Sequence, residues 1–197
     1  MYIVASDRVE AKNCSITGNH ALYSGGGIST GENSISTWIS CQCSFNFVSK
    51  RDGGCIALDG SSRATFVASE FQFNSAHEGY GGAVYLSENA NATFFNCDLQ
   101  RVRSNITNNV THHFRSNHAQ QGGAGFSDST SLFLGDGLNF MTNEGTVNGG
   151  GVATSGLHSR IVNSVFEFNS ATNGGAIMVE YDGTAGQYAK NCTFRYL

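Results

Sequence analysis

Bulky and polar residues alternate along most of the chain, and the alternation breaks at a recurring phrase rich in Asn and Gly. FQFNSAHEGYGGAVYL at 71–86 returns at 166–179 as FEFNSATNGGAIMV. Looser copies are ITGNHALYSGGGIST (16–30), FNFVSKRDGGCIAL (45–58), FRSNHAQQGGAGF (114–126) and FMTNEGTVNGGGVAT (140–154). Period-two alternation is the mark of a strand, and the i, i+3, i+4 spacing of an amphipathic helix is sustained nowhere. After the glycine pair the same two columns recur as Ile28/Thr30, Ile56/Leu58, Val84/Leu86, Val152/Thr154 and Ile177/Val179. A second strand precedes the Asn turn, in ATFVASEFQFN (64–74), ATFFNCDLQ (92–100) and SRIVNSVFEFN (159–169).

The first glycines of the pairs, Gly25, Gly53, Gly81, Gly122, Gly149 and Gly174, lie 28, 28, 41, 27 and 25 residues apart. Positions 19, 48, 74, 117, 143 and 169 give steps of 29, 26, 43, 26 and 26. Such a period with one long step describes a solenoid whose one turn holds an inserted loop. Two or three short strands per turn predict an all-β parallel β-helix of six to seven coils of 25–29 residues. The usual handedness of parallel connections makes it right-handed. The whole chain, 1–197, reads as a single β-helix repeat domain with a loop inserted at about 98–113.

Asn19, Asn74, Asn117, Asn143 and Asn169 share one column, with Val48 in the remaining place. Asn tolerates the left-handed conformation of a sharp corner, and stacked amides can hydrogen-bond along the axis as a ladder. The glycine pair allows positive φ at a second corner and a close approach between coils.

Composition narrows the function. The net charge is −4, the pI is near 5.8 and 13% of residues are charged, without the basic stripe of a nucleic-acid binder. No run approaches the ~18 apolar residues of a membrane helix. MYIVASDRVEAKNC shows no signal peptide, and the closing NCTFRYL restarts the motif without finishing it, so the chain reads as a piece of something longer. Phosphate loops, dinucleotide fingerprints and calcium-binding nonapeptides are all missing, and no cofactor is implied.

The cysteines Cys14, Cys43, Cys97 and Cys192 fall in one repeat slot, where Ser69, Leu138 and Ser164 stand in other copies. Buried stacked thiols are the leading expectation, ahead of a Cys14–Cys43 disulfide and of a metal site. Cys55 sits in the small-residue column of Gly27, Ala83, Ala124, Gly151 and Ala176. The carboxylates include no adjacent pair of the kind a glycosidase needs. The inserted segment combines Arg101, Arg103, His112 and His113, a candidate cationic contact for an acidic glycan or a protein partner.

The pairing of F-x-x-N with G-G-A-[ILV], as in FQFN with GGAV, FRSN with GGAG and FEFN with GGAI, resembles the repeats of polymorphic outer membrane proteins of chlamydial autotransporters. ITGN with GGGI, FNFV with GGCI and FMTN with GGGV match less closely, and together the copies cover about 9–197. The resemblance implies a right-handed β-helix of the pectin-lyase-like kind, displayed at a cell surface or secreted and associated with adhesion. A non-enzymatic scaffold binding a host or environmental glycan or a surface protein is the expected function. Similar β-helices also carry pectate lyases and polygalacturonases, so a polysaccharide lyase or glycoside hydrolase is the rival.

Overall fold

A computed structural model of the chain describes residues 1–3, 8–95, 112–155, 159–180 and 188–196. Strands of two to six residues follow one another and every pairing is parallel and one turn apart, which makes a β-solenoid of about six turns. Each turn visits four sheets, one more corner than the sequence suggested. The stretch 64–74, for example, is broken at Ala68 (φ 46°) into Arg63–Val67 and Glu70–Gln72.

The first sheet stacks the strands that follow the glycine pairs, from Tyr2–Ile3 to Ile177–Val179. Its register aligns Ile28, Ile56, Val84, Gly125, Val152 and Ile177, and likewise Thr30, Leu58, Leu86, Ser127, Thr154 and Val179, as the alternation predicts. The second sheet runs from Arg8–Lys12 to Tyr188–Lys190 and the third from Ser15–Thr17 to Thr193–Arg195. The fourth, six-stranded sheet runs from His20–Ala21 to Ser170–Asn173.

Alternation sends every second side chain into the narrow interior, where in-register neighbours lie about 4.8 Å apart. Flat rings suit that spacing. Phe71, Phe114, Phe140 and Phe166 stack through the third sheet with centroids 4.9, 4.9 and 4.5 Å apart. Phe66 and Phe94 stack in the second sheet at 4.9 Å, and the two stacks meet edge to face, as in Phe66–Phe71 at 5.3 Å. All six rings are fully buried.

The asparagine ladder is continuous, and Asn46, not Val48, fills its second place. Asn19, Asn46, Asn74, Asn117 and Asn143 each donate from Nδ2 to Oδ1 of the ladder Asn one turn on, at 2.8–3.1 Å. The same oxygens accept from the backbone N–H of the preceding ladder residue at 3.0–3.1 Å. From Asn46 onward each Nδ2 also donates to a carbonyl of the preceding turn, such as Phe71 O from Asn117 at 3.1 Å. The ladder asparagines are not themselves left-handed; the residue before each one is. Their task is to satisfy buried backbone groups at a corner.

The glycine pair divides its two expected tasks. The first glycine takes positive φ, from 58° at Gly149 to 71° at Gly53. The second permits contact: a Cβ on Gly26, Gly54, Gly82, Gly123 or Gly150 would lie 2.1–2.3 Å from a glycine carbonyl one turn on.

The cysteine column is corrected in the same direction as the ladder. Ser15 pairs with Gln42 and Gln42 with Glu70, so the residue facing Cys14 and Ser69 is Cys41. Cys43 stands instead in the phenylalanine column, between Ile16 and Phe71, and it forms a disulfide with Cys55 across the interior. Cys97 lies outside the described residues. A bridge closing a loop of about 12–15 residues contributes about 3 kcal/mol by loop entropy. The double change Cys43→Ala and Cys55→Ala is therefore expected to lower the urea unfolding free energy by about that much. A parent whose Cys43 and Cys55 both alkylate without prior reduction would contradict the bridge.

Candidate functional site

The corner between the third and fourth sheets carries the side chains least suited to their backbone. Gly18, Phe45, Phe73, Ser116, Thr142, Phe168 and Tyr196 occupy it, all with φ between 50° and 69°. That conformation costs an ordinary residue about 1–2 kcal/mol. Four of the seven are nevertheless aromatic and stand in solvent, with Phe45 60% and Tyr196 72% exposed. Phe45 stacks on Phe73 at 4.9 Å and 10°, and Phe168 on Tyr196 at 4.5 Å and 3°. A stacked pair contributes about 0.5–1.5 kcal/mol, which is less than the backbone cost of its two residues. Exposed rings held at costly backbone angles make this corner the candidate site.

Phe45 has one covered face and one open face. Phe73 covers the first; on the other side the column holds Gly18, where an added Cβ would meet nothing within 4 Å. On the third sheet, next to Gly18 in the chain, exposed Ser15 Oγ lies 2.9 Å from exposed Thr17 Oγ1, which lies 3.3 Å from the buried Ser44 Oγ. On the fourth sheet His20 Nε2 is 2.7 Å from Ser49 Oγ, and Phe47 lies between the rings of His20 (5.2 Å) and His77 (6.2 Å). The corner thus presents the exposed Phe45 ring, with the exposed Thr17 and His20 flanking Gly18 in the chain.

Four described aspartates are each engaged by a neighbouring amide or side chain. Asp52 accepts the Tyr80 amide at 2.9 Å, and burial pushes its carboxyl above the usual range. Asp59 accepts from the Gly60 amide and from Ser87 Oγ, both at 2.9 Å. Asp128 accepts from Thr130 N and Oγ1 and from Glu88 N, and Asp136 from Asn163 Nδ2. Between them, burial and then the Asp52 charge push the Tyr85 hydroxyl up to about 12. Among the described residues no three His, Cys, Asp or Glu converge as metal ligands. No helix there is long and apolar enough to cross a membrane.

No family model, curated protein or solved structure matches this chain.

The cationic candidates are not brought together by anything described. Arg101 and Arg103 lie outside the described residues. His112 and His113 begin the strand His112–Arg115, where their backbone pairs with Leu138 and Asn139, so the inserted segment ends before them. The hydrophobic pattern alone does not single out the aromatic corner, although the sequence carries a signal for it. In F-x-F-N the first ring is an inward strand residue, and the second immediately precedes a ladder Asn, so it must sit on the corner.

Proposed function

We propose that the chain is a non-enzymatic β-solenoid scaffold of an adhesin-like protein, displayed at a surface or secreted, that holds a glycan at the Phe45 corner. The observation that carries this reading is the open face of Phe45 over Gly18. A hexose ring offers an apolar C–H face that stacks on an aromatic ring, and its hydroxyls could bond the exposed Ser15, Thr17 and His20. The separate engagement of Asp52, Asp59, Asp128 and Asp136 supports the scaffold over a glycosidase, whose chemistry needs two carboxylates facing one sugar. The paired F-x-x-N and G-G-A-[ILV] motifs support the narrower reading, a repeat segment like those of polymorphic outer membrane proteins.

The test is a glycan array with the parent, Phe45→Ala/Phe73→Ala, and a variant with 100–111 replaced by Gly-Ser. The parent is expected to bind a subset of glycans without releasing reducing or unsaturated sugars, and the double variant to lose at least tenfold in affinity, or about 1.4 kcal/mol. Full binding by the double variant would exclude the corner. Loss in the Gly-Ser variant alone would move the site to the inserted segment, and sugar release would favour the enzymatic rival.

A further inference from the structure

Cys14 and Cys41 occupy one column on adjacent turns, and their Sγ atoms are 2.7 Å apart. Other members of the column bond locally. Ser69 Oγ donates to Val67 O and Trp38 O, Ser164 Oγ to Val162 O, and Cys192 Sγ lies 3.5 Å from both Ile161 O and Lys190 O. Cys41 keeps the same habit, with Ile39 O at 3.4 Å and Ala11 O at 3.6 Å, but its sulfur is nearer to Cys14 than to either. Neighbouring strands bring their Cα atoms within the span a disulfide bridges, about 4.4–6.8 Å. The Cys43–Cys55 bond crosses the interior within one turn; this pair joins two turns.

We propose that Cys14 and Cys41 are a second disulfide site, closed across adjacent turns by a small-molecule disulfide of the glutathione type. Cys14 is the partly exposed thiol and Cys41 is buried, so Cys14 reacts first. Its thiolate attacks one sulfur of oxidised glutathione, the glutathione S–S bond breaks, and one glutathione thiolate leaves. The Cys41 thiolate then attacks the Cys14 sulfur of the mixed disulfide and expels the second glutathione. Two protein thiols are oxidised, one glutathione disulfide is reduced to two thiols, and the two protons end on glutathione. The bond would fasten the first turn, where Val9, Ala11 and Ile16 are only partly buried, to the turn that carries Phe45.

Partial burial, then the Cys41 thiol, push the Cys14 thiol up to about 11, so the reaction should accelerate as pH rises toward that value. The experiment incubates the native chain with oxidised glutathione at pH 7 and pH 9, alkylates it, and maps the peptides by mass spectrometry. The expected product is a Cys14–Cys41 peptide pair lighter by two hydrogens, formed about tenfold or more faster at pH 9, while Cys192 yields at most a glutathione adduct. A Cys41→Ser variant should stop at the Cys14–glutathione adduct, which distinguishes failed closure from failed attack. Alkylated Cys14 and Cys41 after oxidation of the parent, or a persistent glutathione adduct on its Cys14, would overturn the proposal.

Discussion

Asn117→Ala is expected to remove about 4 kcal/mol from the stability of the protein, because it deletes four buried hydrogen bonds worth about 1 kcal/mol each. Asn117 is 1% exposed. Its Nδ2 donates to Asn143 Oδ1 at 2.9 Å and to Phe71 O at 3.1 Å, and its Oδ1 accepts from Asn74 N and Nδ2 at 3.0 and 3.1 Å. Alanine leaves the Asn74 backbone N–H inside without its acceptor and takes one donor from the Phe71 carbonyl. For a chain of this length such a loss lowers Tm by roughly 8–16 °C. Asn19 provides the internal comparison: it begins the ladder, is exposed, and its Nδ2 bonds only Asn46 Oδ1 and Thr17 O. Asn19→Ala should cost no more than about 1 kcal/mol, since water replaces what is lost. Thermal and urea unfolding of both variants measure the difference, and equal effects would mean that the ladder does not carry load along the axis.

The fold was legible wherever a residue's role recurs in every turn. Glycine pairs, the Ile/Val columns of the first sheet and most ladder asparagines each repeat at one period, and each answers to one steric demand. The register is ambiguous in the turn at 41–58, where alternation alone admits Val48 in place of Asn46 and Cys43 in place of Cys41. Both are slips of two residues in the same direction. A one-residue slip would turn every side chain to the other face, but a two-residue slip preserves inside and outside, so alternation cannot detect it. What fixes the register is hydrogen bonding between turns, such as Asn46 Nδ2 to Asn74 Oδ1 at 3.0 Å, and that lies 28 residues away in the chain. The aromatic corner stayed hidden for a related reason. Phe45, Phe73 and Phe168 look like ordinary core phenylalanines until the corner position is known, and only then does their exposure become a problem to explain. The disulfide followed the register: once Cys43 occupies a phenylalanine position, it points at Cys55 across the interior.

Gly82→Ala is expected to be comparably damaging for a different reason, and its own column supplies the control. The Gly82 backbone is not left-handed, so a methyl group there meets only a packing obstacle. That obstacle is backbone: the new Cβ would lie 2.1 Å from Gly123 O and 2.6 Å from His118 N, and neither can swing aside. The two turns must part locally, which strains the bonds between them, Gly81 N to Gln121 O, Gly82 N to Gly122 O, Ala83 N to Ala124 O and Val84 N to Ala124 O, all at 2.9–3.1 Å. Four such bonds weakened together correspond to about 4 kcal/mol. Because stability in a solenoid is a chain of nearest-neighbour contacts, the damage should divide the melt into two transitions. Gly175 holds the same place where, among the described residues, no later glycine pair packs upon it, and its nearest contact would be Asn169 O at 3.0 Å. Gly175→Ala should therefore shift the melt by the equivalent of about 1 kcal/mol or less. Gly18→Ala isolates the remaining variable, since its φ of 69° is unfavourable to alanine and its surroundings are open; about 1 kcal/mol is expected there. Should Gly82→Ala and Gly175→Ala melt alike, close approach between turns would not be what keeps the second glycine of each pair.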